Sequence, residues 1–146
     1  MRTLITFGSD LYERAMCKLR DSAQRHFDRI ILYRPRDIHP MFREANERVL
    51  SEPRGCGLWA WKPYFILRTL AQANEGDYVF YCDSQMRFIA DPAPLFALCE
   101  QNGGVLLFHQ RREGHKNKTW TKRDAFALMG CDEPRYHEGD NLVAGT

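Results

Sequence analysis

The chain has 146 residues, of which 44% are hydrophobic and 27% are charged, and its formal net charge at pH 7 is +2. This length suits one ordinary domain, and the composition is typical of a folded globular protein and excludes a disordered one. A charge so close to neutrality, with acids and bases interspersed, argues against nucleic-acid binding. No apolar run approaches the roughly 20 residues that cross a bilayer, so at most a peripheral association with a membrane is expected.

Strand and helix signals alternate from the start of the chain. Residues 3–7 and 30–33 are short apolar runs bounded by Gly or Pro, and each predicts a buried strand. Between them, a four-residue apolar repeat predicts an amphipathic helix capped by Ser9 or Asp10. The residues of that repeat are Leu11, Ala15, Leu19, Ala23 and Phe27. Residues 37–50 are weakly helical and lead into a loop that contains Gly and Pro.

The middle of the chain predicts a helix, a strand and a second helix. Pro63 suits the first helical position, where its missing N–H costs nothing. The inward face of that helix is predicted to consist of Ile66, Leu67, Leu70 and Ala73. The unbroken apolar run 78–82 predicts a strand covered on both faces. A helix then begins near Asp91 and ends before the two glycines at 103–104.

Three shorter segments complete the pattern. Residues 105–108 predict one more buried strand, and the polar, basic segment 111–120 predicts an exposed loop. Thr121 has the position of a capping-box residue before a last short helix. Strands that alternate with helices at this spacing predict an α/β fold, with a mostly parallel sheet flanked by helices on both faces.

No repeat or linker divides the sequence, so we expect a single domain over residues 1–146. The final residues 141–146 bring no closing helix, so we expect the N-terminal portion of a longer fold. The five cysteines are odd in number and include no Cys-x-x-Cys pair. That pattern favours reduced thiols in the cytoplasm over a disulfide framework or a zinc site.

Asp83 is the first candidate for chemistry because it follows the strand at 78–82. It should lie at the carboxyl edge of the sheet, where open α/β sheets bind ligands. A carboxylate there can hold a divalent cation that neutralises a diphosphate. Alternatively, an Asp-Ser pair such as Asp83-Ser84 simply forms the turn that ends a strand. Both interpretations stay open.

Lys62 and two tryptophans come just before Pro63. The free N–H groups and the dipole of a helix N-terminus attract anions, and the Lys62 ammonium would add a full charge. It can equally be an ordinary surface lysine. Trp59 and Trp61 would face the same side of an extended segment, where they could stack on a sugar or a base or wedge the loop onto the core.

Three segments together resemble a group of bacterial glycosyltransferase-like proteins of the GT-A type, in the nucleotide-diphospho-sugar transferase superfamily. They are residues 55–63 (GCGLWAWKP), 76–83 (GDYVFYCD) and 118–124 (KTWTKRD). The Trp-x-Trp-Lys-Pro element is the most specific of them, and the resemblance extends over the whole chain.

The resemblance implies a glycosyltransferase of polysaccharide biosynthesis, which moves a sugar from a nucleotide-diphosphate donor to a hydroxyl of a glycan or lipid-linked acceptor. Lys62 and Asp83 would be catalytic, and Asp83 would bind Mn²⁺ or Mg²⁺. Residues 141–145 would approach the acceptor. The donor would be bound by Thr6, Phe7, Gly8, Trp59, Trp61, Lys62, Asp83 and Gln85.

The chain departs from the family's Asp-x-Asp motif at one position, since it has Asp83-Ser84-Gln85. The third residue of the motif is usually a metal ligand, and an amide oxygen binds a metal only weakly. This departure favours, as an alternative, a truncated or degenerate domain that binds a nucleotide, a glycan or a protein partner without catalysis. A phosphohydrolase with Asp83 as nucleophile is disfavoured because it would need a second acid at Gln85.

Overall fold

A computed structural model describes residues 1–108 and 114–142 of the chain. Within these ranges the strands are β1 (Arg2–Phe7), β2 (Arg29–Tyr33) and β3 (Tyr78–Tyr81). The helices are α1 (Glu13–Ala23), α2 (Pro40–Ala45), α3 (Glu47–Leu50), α4 (Gly55–Leu58), α5 (Trp61–Leu70), α6 (Ala93–Gln101), α7 (Asn117–Trp120), α8 (Arg123–Leu128) and α9 (Pro134–His137). Short 3-10 turns lie at Asp10–Tyr12 and Pro35–Asp37.

β1 is the central strand of a three-stranded parallel sheet with the order β2-β1-β3. Ile5 of β1 lies opposite Ile31 of β2 on one side and Tyr81 of β3 on the other. From β1 the chain crosses to β2 on one side of the sheet and later to β3 on the opposite side. The direction in which strands are added therefore reverses at β1. The predicted α/β class with a parallel sheet is confirmed.

The two faces of β1 belong to separate hydrophobic clusters, because successive side chains of a strand point to opposite faces. Leu4 packs with Leu19 of α1 and Phe96 of α6. Ile5 packs on the other face, in a cluster that includes Phe65 of α5. Helices therefore flank both faces of the sheet, as the alternating pattern predicted.

Helix α5 differs from its prediction in both its start and its inward face. It begins at Trp61, two residues before Pro63, and Leu67 is 66% exposed. The predicted inward face was therefore wrong at Leu67, and also at the half-exposed Leu70. The buried residues are Trp61, Phe65 and Thr69. These lie four apart, and two large aromatic rings bury more apolar area than two leucines do.

The threonine in this face is compatible with burial because its hydroxyl is satisfied. Thr69 donates to the Phe65 carbonyl at 2.7 Å and lies 3.0 Å from the hydroxyl of Tyr33. A buried hydroxyl with two partners avoids the cost of an unpaired polar group. Hydrogen bonding therefore explains the core position of Thr69, and the hydrophobic pattern of the sequence does not show such bonds.

The start of α1 was also predicted wrongly. Ser9 and Leu11 belong to the segment around the 3-10 turn Asp10–Tyr12, which precedes the α-helix, and Ser9 makes no capping bond through its side chain. Leu11 is almost fully exposed, while Met16 joins Leu19 in the buried face. A 3-10 turn has a tighter rotation per residue than an α-helix, so it shifts the phase of the apolar repeat.

Two further predictions fail in the second half of the chain. Residues 105–108 form no strand, and their side chains at Val105 and Leu107 are exposed. Helix α8 is preceded by Lys122 as its N-cap, so Thr121 does not have the predicted capping role. The predicted loop at 111–120 lies partly outside the described residues, and its end forms the helical turn α7.

The five cysteines form no disulfide. Within residues 1–108 and 114–142, no helix is both long and apolar enough to cross a bilayer.

Candidate functional site

The carboxyl ends of β1 and β3 meet at one edge of the sheet. Gly8 and Ser9 continue β1 there, and Cys82 and Asp83 continue β3. Because the strand order reverses at β1, this edge is a topological switch point, where the loops that follow neighbouring strands separate and leave a crevice. The sequence placed Asp83 at this edge, and the structure adds that the crevice lies between β3 and the central strand.

One wall of the crevice is a left-handed turn, which begins α4 and continues through Trp59. All five consecutive residues Gly55, Cys56, Gly57, Leu58 and Trp59 have positive φ, between 50° and 93°. Glycine adopts this conformation freely, whereas each of the three other residues costs roughly 1–2 kcal/mol. Such strain persists only where the surroundings impose it, and it is concentrated at functional sites.

Hydrogen bonds and close packing hold this turn. The N–H of Leu58 donates to the Arg54 carbonyl at 2.8 Å, and the indole Nε1 of Trp61 donates to the Gly55 carbonyl at 2.8 Å. A Cβ on Gly57 would lie 2.8 Å from the Cα of Leu50. The first glycine of the Gly-x-Gly pair therefore accepts the indole bond, and the second permits close approach of two backbones.

The crevice encloses a cavity of about 410 Å³, within the range of small-molecule sites. Asp83 is its one charged lining residue among the described residues. The lining consists of Phe7, Gly8, Ser9, Leu11, Tyr12, Pro53, Gly55, Cys56, Trp59, Trp61, Asp83, Ser84 and Gln85. Aromatic walls with a single carboxylate and several small polar groups suit a ligand that has a ring and hydroxyl groups.

The two tryptophans have different roles. Trp61 is only 6% exposed, and its ring stacks on Phe7 with centroids 3.9 Å apart, so it anchors the start of α5 in the core. Trp59 is 47% exposed and presents its ring to the cavity. They do not share one side of an extended segment, because Trp59 is left-handed and Trp61 is helical. The structure supports the wedging alternative for Trp61, and stacking of a sugar or a base on Trp59 stays a prediction.

Lys62, Tyr81 and Asp83 form one connected cluster at the edge of the cavity. The Lys62 ammonium lies 3.2 Å from Asp83 Oδ1 and 4.8 Å from the centroid of the Tyr81 ring. The Tyr81 hydroxyl donates to the same Asp83 oxygen. The Lys62 side chain is 17% exposed and that of Asp83 is 48% exposed. Asp83 faces the cavity, and Lys62 is not among its lining residues.

Burial fixes the protonation states of Tyr81 and Cys82. Burial, with the hydrogen bond to Asp83 as the second cause, raises the pKa of the Tyr81 hydroxyl, so Tyr81 stays a donor. Burial, with the Asp83 charge second, raises the pKa of the Cys82 thiol to about 12. Cys82 is therefore a neutral packing residue at physiological pH, and a nucleophilic role for it is disfavoured.

The remaining predicted donor contacts divide into two sets. Phe7, Gly8 and Gln85 line the cavity. Thr6 does not line it, because its side chain is buried on the α1 face of the sheet, where Oγ1 has no hydrogen-bond partner among the described residues. A Cβ on Gly8 would lie 2.8 Å from Met16 Sδ, so a larger residue there would require the Met16 side chain to shift.

The described residues do not by themselves fit a divalent metal. They include no group of three His, Cys, Asp or Glu side chains that could hold an ion. Mn²⁺ and Mg²⁺ prefer about six oxygen ligands, whereas the described part of the chain lines the cavity with one carboxylate, that of Asp83. A metal at Asp83 would need most of its ligands from a bound substrate and water. The metal role of Asp83 stays a prediction.

The predicted acceptor side is described only in part. Asn141 donates its backbone N–H to the His115 carbonyl at 2.9 Å, and Leu142 is partly exposed. Residues 143–145 lie outside the described residues.

Sequence reasoning missed Tyr81 and the other wall of the cavity. Tyr81 carried a usable signal, because residues two apart in a strand point to the same side and Asp83 follows it by two. Leu11, Tyr12 and Pro53 carried none, since only the fold brings the loops after β1 and α3 together.

Comparison of the chain with protein-family models, with curated proteins and with solved structures found no match in any of the three.

Proposed function

We propose that the protein is a glycosyltransferase with a GT-A-type fold. It transfers a sugar from a nucleotide-diphosphate donor to a hydroxyl of a glycan or lipid-linked acceptor, in the cytoplasm. The observation that carries the proposal is the 3.2 Å pair of Lys62 and Asp83 at a switch-point cavity walled by Trp59. The five free thiols support the compartment.

Each part of a donor has a matching feature at this edge. The exposed indole of Trp59 offers a face on which a base or a sugar ring can stack. Asp83 offers carboxylate oxygens to hydroxyl groups. The helical segment that starts at Asp10 follows β1 at this edge, and the first N–H groups of a helix attract phosphate. Lys62 adds a positive charge 3.2 Å from Asp83 Oδ1, at the edge of the same cavity.

The reaction itself exchanges one C–O bond for another. The bond between the anomeric carbon and the donor phosphate oxygen breaks, and its electron pair remains on the diphosphate. The acceptor oxygen bonds to the anomeric carbon and releases its proton, so the products are a glycoside, a nucleoside diphosphate and one proton. A cation near the departing diphosphate stabilises the charge that develops there, and we assign that role to Lys62.

A second function is favoured by a specific observation. Asp83, which is the one carboxylate among the described residues that line the cavity, already forms an ion pair with Lys62, and the third motif position is the neutral Gln85. A cavity of this kind can bind a nucleotide or a glycan without turning it over. The alternative is therefore a binding domain that lacks catalysis.

Thermal stabilisation by a panel of sugar nucleotides, followed by transfer and donor-hydrolysis assays, tests both functions. A ligand at 100 times its Kd stabilises the folded state by about 2.7 kcal/mol, which a melting curve detects. Stabilisation with turnover supports the transferase, and stabilisation without turnover supports the binding domain. The absence of stabilisation by every sugar nucleotide would contradict the transferase proposal.

The site assignment has its own variants. Asp83→Asn and Lys62→Met are each expected to abolish transfer while the melting temperature changes by no more than a few degrees, because the pair is partly exposed. Glu138→Gln and Lys118→Met are matched controls from the surface pair 2.5 Å apart and should keep full activity. Wild-type turnover by both site variants would refute the assignment.

A further inference from the structure

We propose that this site binds its diphosphate ligand without a divalent metal ion, because the Lys62 ammonium occupies the position beside Asp83 that a metal would take. The inference rests on the proposed function. It concerns the same cavity, and it reverses the expectation of Mn²⁺ or Mg²⁺ that the family resemblance brings.

One carboxylate oxygen of Asp83 is already engaged by two donors. Its Oδ1 lies 3.2 Å from Lys62 Nζ and also accepts the hydroxyl proton of Tyr81. Two donors on one carboxylate oxygen, one of them cationic, satisfy most of its capacity to accept hydrogen bonds and neutralise its charge. Beside this ammonium, the second carboxylate oxygen suits a hydroxyl group of a ligand better than a cation.

The ammonium is held in place by more than this carboxylate. Lys62 Nζ lies 4.8 Å from the ring centroid of Tyr81 and 5.7 Å from that of Trp61, so the faces of two aromatic rings attract it. Its backbone belongs to the first turn of α5, which the stacking of Trp61 on Phe7 fixes in the core. The cation is therefore built into the site.

A divalent ion on Asp83 would be placed a few ångströms from this ammonium. Like charges at that distance repel strongly where solvent access is limited, and Lys62 is only 17% exposed. The adjacent positions are Ser84 and Gln85, which bring no compensating negative charge. A phosphate group carries the opposite charge and is attracted by the same ammonium.

The first test measures Mn²⁺ binding in the absence of any nucleotide, and electron paramagnetic resonance quantifies the free Mn²⁺. Wild type and Asp83→Asn are expected to bind Mn²⁺ equally, within about twofold, since Asp83 is not a metal ligand. A loss of about tenfold or more in Asp83→Asn, which corresponds to one metal-ligating group, overturns the inference. This comparison needs no nucleotide, so it decides the inference even if the transferase proposal fails.

Free UDP and GDP provide the second test, by calorimetry in EDTA and in Mn²⁺. The affinity of the wild type for whichever diphosphate binds is expected to be the same in both buffers, within about twofold. A fall of about tenfold or more in EDTA overturns the inference. If neither binds in either buffer, the proposed function fails and the manganese comparison alone decides the metal question.

The variant Lys62→Met tests whether the Lys62 ammonium is the reason that the site needs no metal ion. It should weaken diphosphate binding in EDTA by about tenfold or more, and Mn²⁺ should restore part of that loss because no ammonium then repels a metal ion beside Asp83. Lys118→Met, which removes a lysine from a surface ion pair, should change nothing. Unchanged diphosphate affinity of Lys62→Met in EDTA also overturns the inference. Circular dichroism checks that each variant is folded.

Discussion

The left-handed turn at residues 55–59 leads to a prediction of the stability lost in the variant Gly55→Ala. Gly55 has a φ of 61°, and a Cβ added there would lie 2.6 Å from atoms of the Trp59 ring. Gly76 is the matched control, since its φ is 82° and an added Cβ would meet nothing within 4 Å. Both alanines suffer the left-handed penalty, and only the one at Gly55 also displaces an aromatic ring.

The magnitude follows from these two contributions. The left-handed conformation costs an alanine about 1–2 kcal/mol, so Gly76→Ala should destabilise the protein by that amount. Trp59 is half-buried, which corresponds to roughly 100 Å² of contact for an aromatic side chain. At about 25 cal/mol per Å², complete loss of that contact would add at most ~2.5 kcal/mol. Gly55→Ala should therefore exceed its control by up to about 2.5 kcal/mol.

Urea denaturation measures the two stabilities, and tryptophan fluorescence in a Trp120→Phe background reports the displaced ring. Trp120 is exposed, so its removal should not alter the fold. In Gly55→Ala, we expect red-shifted emission and weaker binding of any ligand that stacks on Trp59. Equal destabilisation by the two alanines, with unchanged emission and ligand affinity, would refute the packing described for this wall.

Two further predictions concern stability. Phe65→Ala should lower the free energy of unfolding by about 3–5 kcal/mol because Phe65 is 2% exposed, whereas Leu67→Ala should change it by no more than about 0.5 kcal/mol. Denaturation curves that reverse this order would support the inward face of α5 that was predicted from the sequence. The hydrogen bond from Arg123 is the main cause that lowers the pKa of Asp132. The stability from this pair is therefore present above the ordinary pKa of about 3.9 and is lost as the pH falls through the lower folded value. Wild type should be more stable than Asp132→Asn at pH 7, and the difference in urea midpoint should shrink below about pH 4; a constant difference from pH 7 to 3 would contradict this.

The strands were predictable because their signal is local. The short apolar runs around Ile5, Ile31 and Val79 have the length and composition of buried strands, and helical patterns separate them. Those facts suffice for a parallel α/β sheet. Residues 105–108 show the limit of the same argument, because an apolar run pairs as a strand only where the fold provides a neighbouring strand.

The inward faces of the helices were less predictable, because several apolar stripes compete for one buried position. In α5 both Leu67 and Phe65 belong to plausible stripes. The choice was made by the cluster on the β1 face, where Tyr33 stacks on Phe65 with centroids 4.0 Å apart. Packing against a residue that is 32 positions away in sequence cannot be inferred from helical periodicity.

The sequence by itself determined the fold class and located Asp83 at the carboxyl edge of the sheet, since parallel strands joined by helical connections all end at the same edge. Only the tertiary structure showed that the two charges of the site, on Lys62 and Asp83, form a pair. Lys62 and Asp83 lie 21 residues apart, and the packing of Trp61 on Phe7 brings their charges to 3.2 Å. Coulomb interactions depend on distance in space, and that distance is set by the core and not by the spacing in the chain.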